Sequence, residues 1–208
     1  MNKITLPPGL RAIVFDVGET LVDESRAWSL KATEVGVTPF ALMGVLGALI
    51  ERDQDHRQVW DMLDVEPPDS TVRIERADLY PDAISCLQAA RAAGHVVGIA
   101  GNQPDGAVAQ LRALEFDADF VASSTDWGVS KPSPEFFARI AQCADLTPDA
   151  ILYVGDRLDN DILPARDAGM RTALLRRGPW GYIHARREEA NLADIRLDSL
   201  AQLTAALS

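Results

Sequence analysis

The segment ILYVGDRLDNDILPARDAGMRTALL, residues 151–175, contains the strand–helix–strand pattern that decides the fold class of this chain. Its two ends, residues 151–154 and 172–175, are short and mostly apolar runs, as in buried strands. Between them, residues 162–168 have helical periodicity, and Gly169 follows as a typical helix-ending residue. Strands joined through a helix pair in parallel, so this unit predicts a parallel sheet flanked by helices.

The same alternation extends over most of the chain. Further strands are predicted at residues 11–15, 96–100 and 119–122, and further helices at residues 82–93, 104–114 and 134–143. Beyond residue 176 the sequence predicts a loop through the GPWG segment at 178–181, a weak strand at 194–196 and a closing helix from residue 200. This order predicts an α/β fold with a doubly wound, Rossmann-like parallel sheet.

Residues 23–76 have a different character. They carry no strand signal, and two or three amphipathic helices are separated by the turn-forming segments GVTP (36–39) and EPPD (66–69). We therefore predict two domains. A small helical cap domain, residues 23–76, is inserted into an α/β core domain formed by residues 1–22 and 77–208.

The composition argues against several classes of partner. With 20 basic and 31 acidic residues, the chain has a net charge of −11, which repels nucleic-acid phosphates and anionic membranes. Its two cysteines, Cys86 and Cys143, lie in apolar helical segments and are predicted to be reduced. No apolar run approaches the roughly 18 residues of a membrane span. The composition predicts a cytoplasmic protein without nucleic-acid or membrane partners. The sequence leaves open whether the protein is a monomer or a homodimer.

Polar residues collect where the apolar runs end. They are Asp16 after the first predicted strand, Gly101 and Asn102 after the second, Lys131 beyond the third, and Asp156 and Asp161 after the fourth. In parallel α/β sheets, ligands bind at the carboxyl ends of the strands. These residues are therefore the candidates for a functional site.

The acidic members of this set predict a metal site. Asp16, Asp156 and Asp161 would repel one another at neighbouring strand ends unless a hard divalent cation lay among them. Mg²⁺ suits such oxygen ligands and keeps waters free for a phosphorylated ligand. Lys131 would offset the negative charge of Asp16 and of a bound phosphoryl group.

Motifs covering nearly the whole chain resemble those of a known family. FDVGETL, VVGIAGN, SKPSPEFF and YVGDRLDNDILPARDAGM resemble the four-motif signature of the haloacid dehalogenase-like superfamily. The resemblance implies that Asp16 is a nucleophile, forms an aspartyl intermediate and binds the metal. It also implies that Asp156 is a second metal ligand, that Asp161 acts directly or through water, and that the Gly18 carbonyl completes the shell. Lys131 would hold both the nucleophile and the phosphate.

Position 18 departs from the family pattern. Phosphatases of this family usually carry an Asp there, which protonates the leaving alcohol and activates the attacking water, but this chain has Gly18. Without such a group, phosphomonoesters with poor leaving groups should react slowly. Glu19 is the nearest carboxylate, yet adjacent residues in extended chain point to opposite sides. His56, in the predicted cap, is another possible substitute.

Position 101 is a second departure. The family usually has Ser or Thr there to bond a phosphoryl oxygen, and this chain has Gly101. The backbone N–H of Gly101 remains, and the Asn102 amide can donate as well. Phosphate binding is thus expected to be weakened but retained.

Three functions remain open at this stage. The leading hypothesis is a Mg²⁺-dependent hydrolase of a small phosphorylated metabolite, acting through an aspartyl-phosphate at Asp16. The second is a 2-haloacid dehalogenase, since a halide leaving group needs no acid and Asn102 resembles the Asn of those enzymes. Against it, dehalogenases carry a bulky aromatic residue where this chain has Gly18, and they use no metal. The third is a family member that binds metal or ligand without turnover.

Overall fold

The structure is a computed structural model that describes residues 4–114 and 116–207. Its strands are β1 (Ala12–Phe15), β2 (Val96–Gly101), β3 (Phe120–Ser123), β4 (Ile151–Gly155), β5 (Arg171–Leu175) and β6 (Ile195–Leu197). They form one six-stranded sheet in the order β3-β2-β1-β4-β5-β6, and every neighbouring pair is parallel. The predicted α/β fold with a Rossmann-like parallel sheet is therefore confirmed.

The helices alternate with these strands. They are α1 (Ser25–Glu34), α2 (Pro39–Glu51), α3 (Val59–Met62), α4 (Ala83–Ala92), α5 (Ala107–Ala113), α6 (Ser124–Trp127), α7 (Pro134–Ala144), α8 (Leu163–Asp167), α9 (Gly178–His184) and α10 (Leu200–Leu207). Short 3₁₀ helices occupy His56–Gln58, Arg76–Asp78, Pro148–Ala150 and Glu188–Leu192, and a π-helical turn occupies Leu158–Ile162. Within the described residues, no helix alone has the length and apolar content of a membrane span, and α1 with α2 reaches them only as a pair bent by 111°.

Both faces of the sheet are covered by helices, which explains why its central strands β1, β2 and β4 are apolar throughout. In β1, Ile13 and Phe15 belong to the hydrophobic cluster on one face, together with residues of α4 and α10. Ala12 and Val14 belong to the cluster on the other face, together with residues of α7 and α8. Side chains alternate across a strand, so a strand buried on both faces needs an uninterrupted apolar run.

The segment from residue 23 to residue 76 contains α1, α2 and α3 and has no strand of the sheet. These helices share a separate hydrophobic cluster that includes Leu42, Leu46 and Trp60. This packing is compatible with a cap, while the domain boundaries at residues 23 and 76 stay a prediction.

The segment from residue 176 to 193 differs from its predicted loop. The structure has helix α9 there, followed by the 3₁₀ helix Glu188–Leu192. Pro179 lies in the first turn of α9. Backbone N–H groups in the first turn have no acceptor within the helix, so a proline there costs no hydrogen bond. Trp180 is buried against α2 in the cluster of the 23–76 helices. Tertiary packing of this ring therefore outweighs the turn signal of the GPWG sequence.

Candidate active site

The sheet places Asp16 and Asp156 side by side. β1 pairs with β4 so that Phe15 is opposite Val154, and the next backbone N–H, that of Asp16, donates to the Val154 carbonyl at 2.9 Å. Asp156 directly follows the last residue of β4. Both carboxylates are thereby held at the carboxyl edge of the sheet, as the sequence pattern predicts.

Asp161 reaches the same point from the π-helical turn after β4. Its Oδ2 accepts from the Arg157 backbone N–H at 3.0 Å, which turns the carboxyl group back toward the strand end. A Cβ at Gly155 would lie 2.4 Å from this Oδ2, so the approach requires a glycine there. Ligand oxygens of Asp16, Asp156 and Asp161 all lie within 4.8 Å of one another.

Lys131 is buried, with 4% of its surface exposed, and it joins two of the acids. Its Nζ donates to Asp16 Oδ1 at 2.7 Å and to Asp161 Oδ1 at 2.6 Å. The main chain at Lys131 is fixed by Asn102, whose Oδ1 accepts from the lysine N–H and whose Nδ2 donates to the lysine carbonyl. The structure thus directs the Asn102 side chain to the lysine main chain, whereas the sequence suggested a bond to phosphate.

The site carries excess negative charge, since three carboxylates share one ammonium group. Burial raises the pKa of Asp156 well above its ordinary value, and repulsion from Asp161 and Asp16 adds to the increase. Burial also raises the pKa of Asp161 to about 6, although Lys131 opposes this. Burial disfavours the charged form of Lys131, but Asp16 and Asp161 outweigh that effect and raise the lysine pKa.

The donor set fits a divalent cation. Asp156 Oδ2 is buried and has no hydrogen-bond partner within residues 4–114 and 116–207. A buried carboxylate oxygen without a donor is costly unless a proton or a cation satisfies it. Carboxylate oxygens are the ligands that Mg²⁺ takes in proteins. Asp16, Asp156 and Asp161 are therefore able to hold Mg²⁺.

Gly101, at the end of β2, lies against the nucleophile candidate. A Cβ at this position would be 2.4 Å from Asp16 Oδ1. A Ser or Thr at position 101 would require Asp16 to move from its present position. The absence of a side chain at Gly101 therefore leaves the space that the Asp16 carboxylate occupies.

Glu19, considered as a replacement for the missing acid, is engaged elsewhere. It is buried, and its backbone has a positive φ of 51°. Its Oε2 accepts from the Tyr80 hydroxyl at 2.6 Å, and its Oε1 accepts from the Glu24 N–H at 3.0 Å. Both carboxylate oxygens hold the loop after β1 in place.

Glu24 is a residue of the site that the sequence analysis missed. A Cβ on Gly18 would lie 2.7 Å from Glu24 Oε1, and Trp28 Nε1 donates to Glu24 Oε2 at 3.3 Å. Burial, followed by the negative charge of Glu19, raises the pKa of Glu24 to about 7. No motif marks this residue, because its place beside Gly18 depends on how the loop from residue 19 to 24 folds.

A cleft lies between the sheet edge and the helical segment. The predicted site residues that line it are Asp16, Gly18, Asn102, Lys131 and Asp156. The loop after β1 and the helical segment supply Glu19, Glu24, Trp28, Lys31, His56 and Arg57, and α9 supplies Trp180. The Arg157 guanidinium lies 4.6 Å from the centre of the Trp180 ring, and the His56 ring contacts the same tryptophan edge-on. Burial lowers the pKa of His56. Trp127 packs edge-on against Phe136 and is not among the described residues that line this cleft.

Comparison with known proteins is consistent with this architecture. The family model described as haloacid dehalogenase-like hydrolase matches residues 10–169. A glyceraldehyde 3-phosphate phosphatase of Methanopyrus kandleri is 28% identical over 93% of this chain and 95% of its own length. A phosphoglycolate phosphatase of Cereibacter sphaeroides is 30% identical over 83% of this chain and 87% of its own length.

Solved structures share the fold. The L-2-haloacid dehalogenase from Xanthobacter autotrophicus superposes with a TM-score of 0.70 at 20% identity, covering 94% of this chain and 97% of that one. A HAD phosphatase from Thermococcus onnurineus gives a TM-score of 0.63 at 22% identity, with 96% and 98% covered. At these identities the likeness shows the fold alone.

Proposed function

Because this chain belongs to the haloacid dehalogenase-like hydrolase family and is a hydrolase, we propose that it is a Mg²⁺-dependent phosphatase of a small phosphorylated metabolite. The observation that carries the proposal is the position of Asp16, whose carboxylate is bonded to the buried Lys131 Nζ at 2.7 Å, beside two further carboxylates at the sheet edge. The names of relatives similar over most of their length, glyceraldehyde 3-phosphate phosphatase and phosphoglycolate phosphatase, support a phosphate ester as substrate.

Asp16 is the proposed nucleophile. Lys131 binds Asp16 Oδ1, which leaves Oδ2 as the oxygen that attacks phosphorus. The bond from phosphorus to the ester oxygen breaks, the departing oxygen takes a proton from an acidic group or from water and leaves as the alcohol, and an aspartyl-phosphate remains on Asp16. Water then attacks the phosphorus of the aspartyl-phosphate. This hydrolysis releases inorganic phosphate and restores the Asp16 carboxylate.

Lys131 stabilises charge throughout these steps. Its ammonium group, shared between Asp16 and Asp161, lies where negative charge spreads over the phosphoryl oxygens. Asn102 fixes the lysine main chain, so its contribution is to position Lys131. The Gly101 N–H, at the end of β2, is the proposed backbone donor to a phosphoryl oxygen.

The proposed ligands of Mg²⁺ are Asp16, Asp156, Asp161 and the Gly18 carbonyl. The buried Asp156 Oδ2 without a hydrogen-bond partner among the described residues supports a cation at this position. Bound Mg²⁺ would neutralise the carboxylates and the incoming phosphoryl group. Without it, the excess negative charge of the site opposes binding of a phosphate ester.

Residues 23–76 are proposed to act as a cap over the cleft. Trp28, Lys31, His56 and Arg57 line the cleft from this side, opposite Asp16. Their mixture of aromatic and basic groups suits a small anionic metabolite. A cytoplasmic location is also proposed, because Cys86 and Cys143 are free thiols.

Turnover assays test this function. Purified protein is incubated with phosphoglycolate, glyceraldehyde 3-phosphate, acetyl phosphate or 2-chloropropionate, in Mg²⁺ or in chelator, with Asp16→Asn as the control. We expect release of inorganic phosphate that requires both Mg²⁺ and Asp16. Halide release that persists in chelator would overturn the proposal in favour of the dehalogenase alternative, which has no specific support in the acid cluster of this site.

A further inference from the structure

The space beside Gly18 is filled by the carboxyl group of another residue. A Cβ built on Gly18 would lie 2.7 Å from Oε1, 2.9 Å from Cδ and 3.4 Å from Oε2 of Glu24. All three atoms of the carboxyl group therefore surround the point where a side chain at position 18 would begin. A larger residue at position 18 and the present position of Glu24 exclude each other.

Glu24 faces the reaction cleft from this place. It lines the same cleft as Asp16, Lys131 and Asp156. Trp28 Nε1 donates to its Oε2, while Oε1 is the oxygen nearest to the point where a Cβ of residue 18 would lie. The indole thus orients the carboxyl group with one oxygen toward the nucleophile loop.

The backbone that carries Glu24 is held by a second acid. Glu19 Oε1 accepts from the Glu24 N–H at 3.0 Å, and Glu19 Oε2 accepts from the Tyr80 hydroxyl at 2.6 Å. Both glutamates line the cleft, but the two carboxylate oxygens of Glu19 are bonded to the loop and to Tyr80, whereas Glu24 Oε1 lies beside Gly18. A group held by packing and hydrogen bonds loses little entropy when it acts on a substrate.

We propose that Glu24 is the catalytic acid and base of this hydrolase, replacing from a later position in the chain the carboxylate that Gly18 lacks. This inference rests on the proposed phosphatase function. As Asp16 attacks and the ester P–O bond breaks, the Glu24 carboxyl gives its proton to the departing alcohol oxygen. In the second step Glu24 takes a proton from the water that attacks the aspartyl-phosphate, so the residue ends as it began.

The test uses Glu24→Gln, which keeps the size of the side chain and an oxygen for the Trp28 N–H but cannot transfer the proton. For alkyl phosphates such as phosphoglycolate, we expect kcat to fall about 10²–10⁴-fold, the usual contribution of general acid–base catalysis. For para-nitrophenyl phosphate, whose phenolate leaves without a proton, we expect a rapid burst of one equivalent followed by slow turnover. That burst marks an aspartyl-phosphate that forms but is not hydrolysed.

The matched control is Asp23→Asn, the neighbouring acid of the same loop. Asp23 Oδ1 accepts from the Ser25 N–H, a bond that Asn can also make, and the described residues that line the cleft with Asp16 do not include Asp23. This variant should keep the activity of the parent protein on both classes of substrate. A second pair of variants compares Glu24→Ala, which removes the carboxylate, with the double variant Gly18→Asp and Glu24→Ala, which places a carboxylate at position 18 instead.

The outcomes separate the two proposals. Recovery of alkyl phosphate hydrolysis in the double variant, at least tenfold above Glu24→Ala, would support the inference. The inference is overturned if Glu24→Gln hydrolyses phosphoglycolate within about threefold of the parent rate. It is also overturned if the substitution reduces the burst of para-nitrophenolate by the same factor as the hydrolysis of phosphoglycolate. If the unmodified protein releases phosphate from no substrate, the proposed function fails, and the role of Glu24 fails with it.

Discussion

Replacing Asp156 with Asn should stabilise the metal-free protein and remove its response to Mg²⁺. Asp156 is 2% exposed, its Oδ2 has no hydrogen-bond partner among the described residues, and Asp16 and Asp161 lie nearby. Asn has nearly the same shape but no charge. The substitution therefore removes repulsion in the free protein and a ligand in the metal-bound protein.

The size of the effect follows from the geometry. Two unit charges 4.8 Å apart, the upper limit of separation in the cluster, repel each other by about 3.5 kcal/mol at an effective dielectric constant of about 20. Attraction to Lys131 offsets part of this, and the raised pKa of Asp156 lets the acid bind a proton instead. We therefore expect a gain of about 1–3 kcal/mol, or about 2–4 °C in Tm for each kcal/mol.

Thermal and urea unfolding at pH 7 measure this effect, with chelator or with increasing Mg²⁺. The parent protein should gain about 2.7 kcal/mol when Mg²⁺ reaches about 100 times its Kd, because the ion binds only the folded state. Asp156→Asn should gain little, so the order of stability reverses on adding Mg²⁺. Asp167→Asn, whose parent side chain is 77% exposed, is the control and should behave as the parent. A variant less stable than the parent in chelator, or equally stabilised by Mg²⁺, would refute the reasoning.

Three other perturbations have expected outcomes. Lys131→Met leaves Asp16 and Asp161 buried without their shared cation, so urea unfolding should show a loss of about 3–5 kcal/mol. Burial lowers the pKa of His184 to about 4. The contribution of His184 to stability, measured as the difference between the parent and His184→Asn, should be constant above pH ~6.5 and fall by roughly 3 kcal/mol toward pH ~4, because the unfolded chain binds the proton first. His184→Asn should lose this pH dependence in denaturation curves. Gly155→Ala, whose Cβ would meet Asp161 Oδ2 at 2.4 Å, should cost about 1–3 kcal/mol and weaken Mg²⁺-induced stabilisation in thermal melts.

The sheet and the acids at its edge could be predicted from local pattern. Each predicted strand is present with ends that differ by no more than one residue, from β1 at Ala12–Phe15 to β6 at Ile195–Leu197. Strands buried on both faces must be apolar along their length, so the pattern is strong. Asp16 and Asp156 come directly after two such runs, and pairing of neighbouring parallel strands brings residues at their ends together.

The surroundings of these acids could not be read from the sequence. Glu24 fills the space at Gly18 because the loop from residue 19 turns back through a positive φ at Glu19. Trp180 is buried in a helix rather than exposed in a loop, because α2 offers it an apolar surface. Such contacts join residues whose spacing has no period and whose approach depends on loop conformation. Chain pattern is enough where burial repeats with the geometry of a strand. The position of Glu24 depends instead on the conformation of one loop, and that of Trp180 on packing between distant segments.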